Sequence, residues 1–98
     1  MKLTSKQRKY LKSQAHHLKP VLLIGKNTLD SSLIKSVDEL LNHHELIKIK
    51  FNHHKSEKEN FITEINNSIN SETVGMIGNI AILYRQIEEV ENRRYHID

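Results

Sequence analysis

The stretch Pro20-Val21-Leu22-Leu23-Ile24-Gly25-Lys26-Asn27-Thr28 leaves this chain few ways to fold. A continuous apolar run ends at a glycine, a lysine and two small polar residues, and Leu29-Asp30-Ser31-Ser32 then opens an amphipathic pattern. A short apolar run bounded by turn residues and followed by helical periodicity predicts a strand that stops at a turn before a helix N-terminus. Because Val21–Ile24 is apolar at every position, both faces are expected to be covered and the strand to be central in its sheet. The junction after it aims unpaired backbone N–H groups and the positive end of a helix dipole at one spot, which favours an anion. Lys26 adds a full charge there. The residues Gly25, Lys26, Asn27 and Thr28 are therefore read as a phosphate-binding loop.

The rest of the chain arranges itself around that junction. Thr4-Ser5-Lys6-Gln7 has the form of a capping box and starts the first helix. Leu3, Gln7, Tyr10, Leu11, Gln14, Ala15 and Leu18 fall on one side, while Ser5, Arg8, Lys9, Lys12 and His16 make the other side basic. Lys19-Pro20 ends this helix, since a residue before proline avoids helical geometry. Asp30 is the expected N-cap of the second helix, with Leu29 stapled against Ile34, and Leu33, Ile34, Val37, Leu40 and Leu41 form its apolar stripe.

Glu45–Phe51 alternates as a strand, with Ile47, Ile49 and Phe51 on one face and Leu46, Lys48 and Lys50 on a wetter one. Ser56-Glu57-Lys58-Glu59 reads as a second capping box, opening a helix with the stripe Phe61, Ile62, Ile65 and Ile69. Thr73–Ile77 and Ile80–Arg85 are two strands joined at Gly78-Asn79, a pair suited to a hairpin turn. The order α-β-α-β-α-β-β predicts an α/β fold in a single domain. Two right-handed β-α-β units with parallel strands, closed by an antiparallel hairpin, give a mixed four-stranded sheet carrying helices. Residues 1–86 form this domain, and the low apolar content of 87–98 predicts a poorly ordered tail.

Charge is unevenly placed. Residues 1–26 carry Lys2, Lys6, Arg8, Lys9, Lys12, Lys19 and Lys26 and no acid, so all 12 acidic side chains lie beyond them. Such segregation gives a directed field suited to a polyanion. No apolar run approaches the length of a membrane span, the N-terminus lacks a signal-peptide core, and there is no cysteine. These features predict a cytoplasmic protein without membrane association, expected to be a monomer.

Several chemistries find no support. Pro20 stands where a Walker A loop needs its first glycine, and Lys26 is followed by Asn27 rather than Ser or Thr. His44-Glu45-Leu46-Ile47-Lys48 has lysine in place of the second histidine of the zinc protease motif. The paired histidines (His16-His17, His43-His44, His53-His54) diverge along a helix or strand, so no metal site is expected. No spacing marks a nucleophile elbow or an acid/base pair, so neither catalysis nor a cofactor is expected. Helices that alternate with strands argue against a helix-turn-helix DNA reader. Phe51 and Phe61 sit in apolar stripes, leaving Tyr84 or Tyr95 for stacking, which favours shape and backbone recognition of structured RNA.

Leu18-Lys19-Pro20, Leu23-Ile24-Gly25-Lys26-Asn27, His43-His44-Glu45-Leu46-Ile47-Lys48-Ile49-Lys50, Ile77-Gly78 and Leu83-Tyr84-Arg85 follow one another at a spacing that resembles the bacterial stand-alone CRM-domain proteins, the YhbY family. The resemblance spans residues 3–86. It implies RNA binding, a fold similar to the C-terminal domain of bacterial translation initiation factor three, and association with precursors of the large ribosomal subunit. It places the family's RNA-contacting loop, comparable to the GxxG loop of KH domains, on Gly25–Thr28, with Thr28 where the second glycine stands. The expected RNA-binding set is Gly25, Lys26, Asn27 and Thr28, extended by Arg8, Lys9, Lys12, Lys19 and Arg85. The alternatives are an adaptor that reaches the ribosome through a protein contact and, behind it, a DNA-binding regulator.

Overall fold

The computed structural model of the chain describes residues 2–97. Among them the elements follow the anticipated order: α1 (Ser5–Ala15), β1 (Leu22–Ile24), α2 (Ser31–His44), β2 (Leu46–Phe51), α3 (Lys58–Ile69), β3 (Glu72–Ile77) and β4 (Ile80–Tyr84). Short 3₁₀ turns lie at Lys55–Glu57 and Val90–Asn92.

Local chemistry sets most boundaries. The Thr4 hydroxyl accepts from Gln7 N at 3.1 Å while Gln7 Oε1 accepts from Thr4 N at 2.9 Å, closing the capping box of α1. Asp30 caps α2 by accepting from Leu33 N at 2.8 Å. That helix ends at Glu45, whose φ of 66° turns the chain into β2. The second anticipated capping box does not form. His54 enters the left-handed region with φ 58°, Ser56 falls inside the 3₁₀ turn, and α3 starts at Lys58 with no side-chain cap. The β3–β4 hairpin turns at Gly78, whose φ of +57° suits a residue without a Cβ.

The sheet order is β1-β2-β4-β3. β1 and β2 are parallel, and β4 is antiparallel to both β2 and β3. β2 and β3 thus run the same way with β4 inserted between them, so both β-α-β connections join parallel strands. The expectation that the apolar strand is central is overturned: β1 is an edge. α2 and α3 cover its Leu22 and Ile24 face, whereas Val21 and Leu23, facing the other way, are 44% and 57% exposed.

Each face of the sheet has its own core. On one side α2 and α3 pack Val37, Leu41, Ile62 and Ile65 over Ile47, Ile49, Phe51, Ala81 and Leu83. On the other, α1 lays Leu11 and Ala15 over Leu46, Val74, Ile82 and Tyr84. Tyr95 and Ile97 join this second cluster. Tyr95 and Ile97 thus return to the sheet while residues 88–92 stay exposed; Met1 and Asp98 lie outside the described residues.

Candidate nucleic-acid interface

α1 covers only part of its face of the sheet. The register pairs Leu23 with Lys50, Lys50 with Ile80 and Ile80 with Ile77, and all four side chains point to the α1 side. Leu23 and Ile77 are more than half exposed, at 57% and 60%. One row crossing all four strands is thus left open: aliphatic, with a lysine in its middle. The neighbouring row holds Val21, Lys48, Ile82 and Gly75, and there the helix begins to cover the strands. A Cβ on Gly75 would sit 2.9 Å from the Lys12 stem, so the glycine lets that lysine lie directly across β3.

Lysines surround this open end. A cleft of about 580 Å³ between α1 and the sheet is lined by Lys9, Lys12, His16, His17, Lys48 and Ile77, among others, and by no carboxylate. Lys48 Nζ donates to the Leu18 carbonyl at 2.9 Å, which holds the chain after α1 against β2 and fixes the ammonium beside the cleft. Lys19 is exposed in the connection to β1. Among the described residues, Arg85–Asp38 is the ion pair formed, so the ammoniums of Lys9, Lys12, Lys19 and Lys26 are not neutralised by a carboxylate.

The Gly25–Thr28 loop lies just past the end of β1 and is exposed throughout. A Cβ at Gly25 would meet nothing within 4 Å and its φ is not left-handed, so the fold does not require glycine there. A bare Cα leaves the backbone open to close approach instead. The loop is tied from behind: His54 Nε2–H donates to the Lys26 carbonyl at 2.8 Å, and its ring stacks on Phe61 with centroids 5.1 Å apart. Asn52 N and His53 N both donate to the Ile24 carbonyl. Lys26 and Lys55 consequently line one surface cleft of about 640 Å³, together with His53, His54 and one acidic residue, Glu57. The first turn of α2 is less open than its position suggests, because the Asp30 carboxylate already occupies the Leu33 N–H and places a negative charge at that terminus.

The structure brings Lys9 and Lys12 to the side of the sheet that carries the open row, leaves Lys19 exposed in the α1–β1 connection, and sets Gly25–Thr28 just past the end of β1. It does not bring Arg8 or Arg85. Arg8 folds back on its own helix start, donating to Leu3 O at 2.8 Å and Ser5 Oγ at 3.2 Å. Arg85 follows β4 at the end of the sheet remote from the loop, where its N–H donates to Glu45 O. Its guanidinium is committed to Asp38 Oδ1 and O, Ile69 O and Asn42 Oδ1, clasping α2 to the last carbonyl of α3. Tyr84 is fully buried and unavailable for stacking. Burial, and secondarily the charge of Glu45, push its phenol up to about 12. Lys48 lines the cleft, Lys50 lies in the open row and Lys55 lies beside Lys26, and none of the three is in the set expected from the sequence, although the alternation of β2 puts Lys48 and Lys50 on one wet face.

No helix among the described residues is long and apolar enough to cross a membrane, and none of their acidic or histidine side chains cluster as a metal site. A small α/β domain whose cleft between one helix and the sheet gathers lysines and no carboxylate has a geometry suited to a polyanion. Residues 3–85 match the CRS1/YhbY (CRM) domain. The chain is 39% identical over 90 residues to a Haemophilus influenzae protein named RNA-binding protein, covering 91% of each. It is 36% identical to the Bacillus subtilis probable RNA-binding protein YqeI, covering 89% of this chain and 92% of that one. The solution structure of the Staphylococcus aureus protein SAV1595 superposes with a TM-score of 0.76 at 32% identity, over 94% of this chain and 97% of the other. The chain belongs to the CRS1/YhbY (CRM) domain family.

Proposed function

We propose that this protein binds RNA in precursors of the large ribosomal subunit and acts in the cytoplasm as an assembly factor without catalysis. The observation that carries the reading is the cleft between α1 and the sheet, which gathers Lys9, Lys12 and Lys48 with no carboxylate. Lys26 and the exposed backbone of Gly25–Thr28 hold one phosphate, and the α1 lysines extend the contact along the RNA backbone. Relatives named as RNA-binding proteins over nearly the whole chain support this class of ligand.

Phosphate contacts make affinity fall with salt by about 0.7–0.9 log unit per log unit of salt for each phosphate neutralised. Lys26→Ala should lower that slope by about one such contact without unfolding the domain. Sucrose-gradient fractionation of cells tests the partner. The protein should sediment with large-subunit precursors and leave them in a high-salt wash, whereas migration only at the top of the gradient removes the ribosome from the account. Retention on particles with no measurable affinity for free RNA would instead favour a protein adaptor.

A further inference from the structure

The phosphate contacts leave the row Leu23–Lys50–Ile80–Ile77 without a role. It is where apolar side chains of the sheet reach solvent together, on a face that α1 elsewhere seals. With neighbouring strands about 4.8 Å apart, the row is about 14 Å long. We propose that this row is a platform for the faces of unpaired nucleobases, so that the RNA segment this protein takes is single-stranded where it crosses the sheet. The proposal rests on the RNA reading and adds to it which form of RNA the site selects.

Three physical arguments lead there. A duplex presents phosphates, sugars and base edges, all polar, while the apolar faces of its bases are hidden in the stack. Aliphatic side chains gain nothing by losing water to such a surface, but they bury apolar area when they meet an exposed base face. A four-stranded sheet of this breadth has room for about two or three bases. The scarcity of aromatic side chains therefore does not exclude base contact, because leucine and isoleucine supply the apolar surface here.

The charges decide against a protein occupant. Lys50 sits in the middle of the row, and an apolar protein surface would desolvate its ammonium without a partner. Between successive nucleotides that ammonium meets phosphate. A second copy of this chain docking face to face would bring Lys50 towards its own counterpart, with the α1 lysines alongside, which like charges oppose.

The test is fluorescence anisotropy with a labelled single-stranded oligoribonucleotide and with the same strand annealed to its complement. Three proteins are compared: wild type, Leu23→Thr/Ile77→Thr and Lys26→Ala. Threonine is β-branched and keeps strand propensity at these exposed positions, and Ile77→Thr alone serves if the double variant does not fold. Wild type should prefer the single strand, and the double variant should lose about tenfold on it with an unchanged salt slope. Its binding to the duplex should not change.

Wild-type affinity of the double variant for the single strand, or equal loss on both forms, overturns the platform. If Lys26→Ala weakens binding in that same experiment, the RNA reading survives the loss. A double variant that leaves ribosomal particles yet keeps full RNA affinity would assign the row to a protein and also overturn the proposal. Failure of wild type to bind either RNA would sink the RNA reading itself.

Discussion

Replacing Glu45 with alanine should remove more stability than a change at any exposed side chain of this domain. Glu45 is fully buried, at φ 66°. Its Oε1 accepts from Arg94 N at 2.7 Å and Tyr95 N at 3.1 Å, and its Oε2 accepts from Ile87 N at 3.2 Å. One carboxylate thereby ties both ends of the tail to the turn between α2 and β2. Alanine at this φ is strained as glutamate is, so the comparison isolates the carboxylate. An orphaned buried donor costs about 1–3 kcal/mol. Water reaches some of the three donors as the tail lifts, so the expected loss is about 3 kcal/mol rather than the full sum. Against a total stability of about 5–15 kcal/mol for a small domain, that is a large fraction. Glu45→Gln keeps Oε1 for Arg94 and Tyr95 but turns an NH₂ towards Ile87 N, for about 1–2 kcal/mol. Urea unfolding followed by far-UV circular dichroism should rank wild type above Glu45→Gln above Glu45→Ala. Hydrogen exchange should show the Ile87, Arg94 and Tyr95 amides protected in wild type and released in Glu45→Ala. Unprotected tail amides in wild type, or an alanine variant within about 0.5 kcal/mol of it, would refute the clasp and leave the tail poorly ordered as its composition suggests.

Other substitutions separate structure from binding. Gly25→Ala should leave stability unchanged or raise it by up to about 1 kcal/mol, since its Cβ has open space and the unfolded chain loses freedom. RNA affinity should nonetheless fall, because the added methyl stands where the backbone is approached; unchanged affinity places the phosphate elsewhere. Arg85→Ala should destabilise by about 2 kcal/mol by opening the α2–α3 clasp, with the salt slope of RNA binding unchanged, and a lower slope in the folded variant would return Arg85 to the interface. Tyr84 has its phenol raised from 10.0 to about 12, so the folded state favours the neutral form. Its contribution is complete below pH 10 and is lost as pH rises towards 12, about 3 kcal/mol in all. Urea midpoints measured across that window should fall steeply, and less so in Tyr84→Phe. Equal slopes in the two proteins would assign the alkaline loss to other groups.

The features legible in the sequence are those decided within a few residues. The Thr4 box, the Asp30 cap, the Gly78-Asn79 turn and the alternation of β2 each depend on neighbours three or four positions away at most. The position of β1 does not. Four apolar residues in a row signal burial on both faces, but whether the second face is covered depends on how far α1 extends over the sheet, and that helix stops at Ala15. Nor does local pattern mark Lys48 as a site residue, because its place beside Lys12 in the cleft exists only after α1 docks. Arg85 and Glu45 are harder still: their decisive partners lie 47 and 49 residues away in sequence, in Asp38 and Arg94. Arg85 looks like any cation at a strand end until its donors are counted. Ser56–Glu59 shows the opposite case, a well-formed local signal displaced by the left-handed entry at His54.

The most direct test of the account is a backbone amide NMR titration of the protein with single-stranded RNA. The account predicts perturbed resonances around Lys12, His16, Leu23 to Thr28, Lys48 to Lys50 and Ile77, with the α2–α3 side and Arg85 unchanged. Perturbations centred on α2, α3 and Arg85, with the Gly25–Thr28 loop silent, would contradict it.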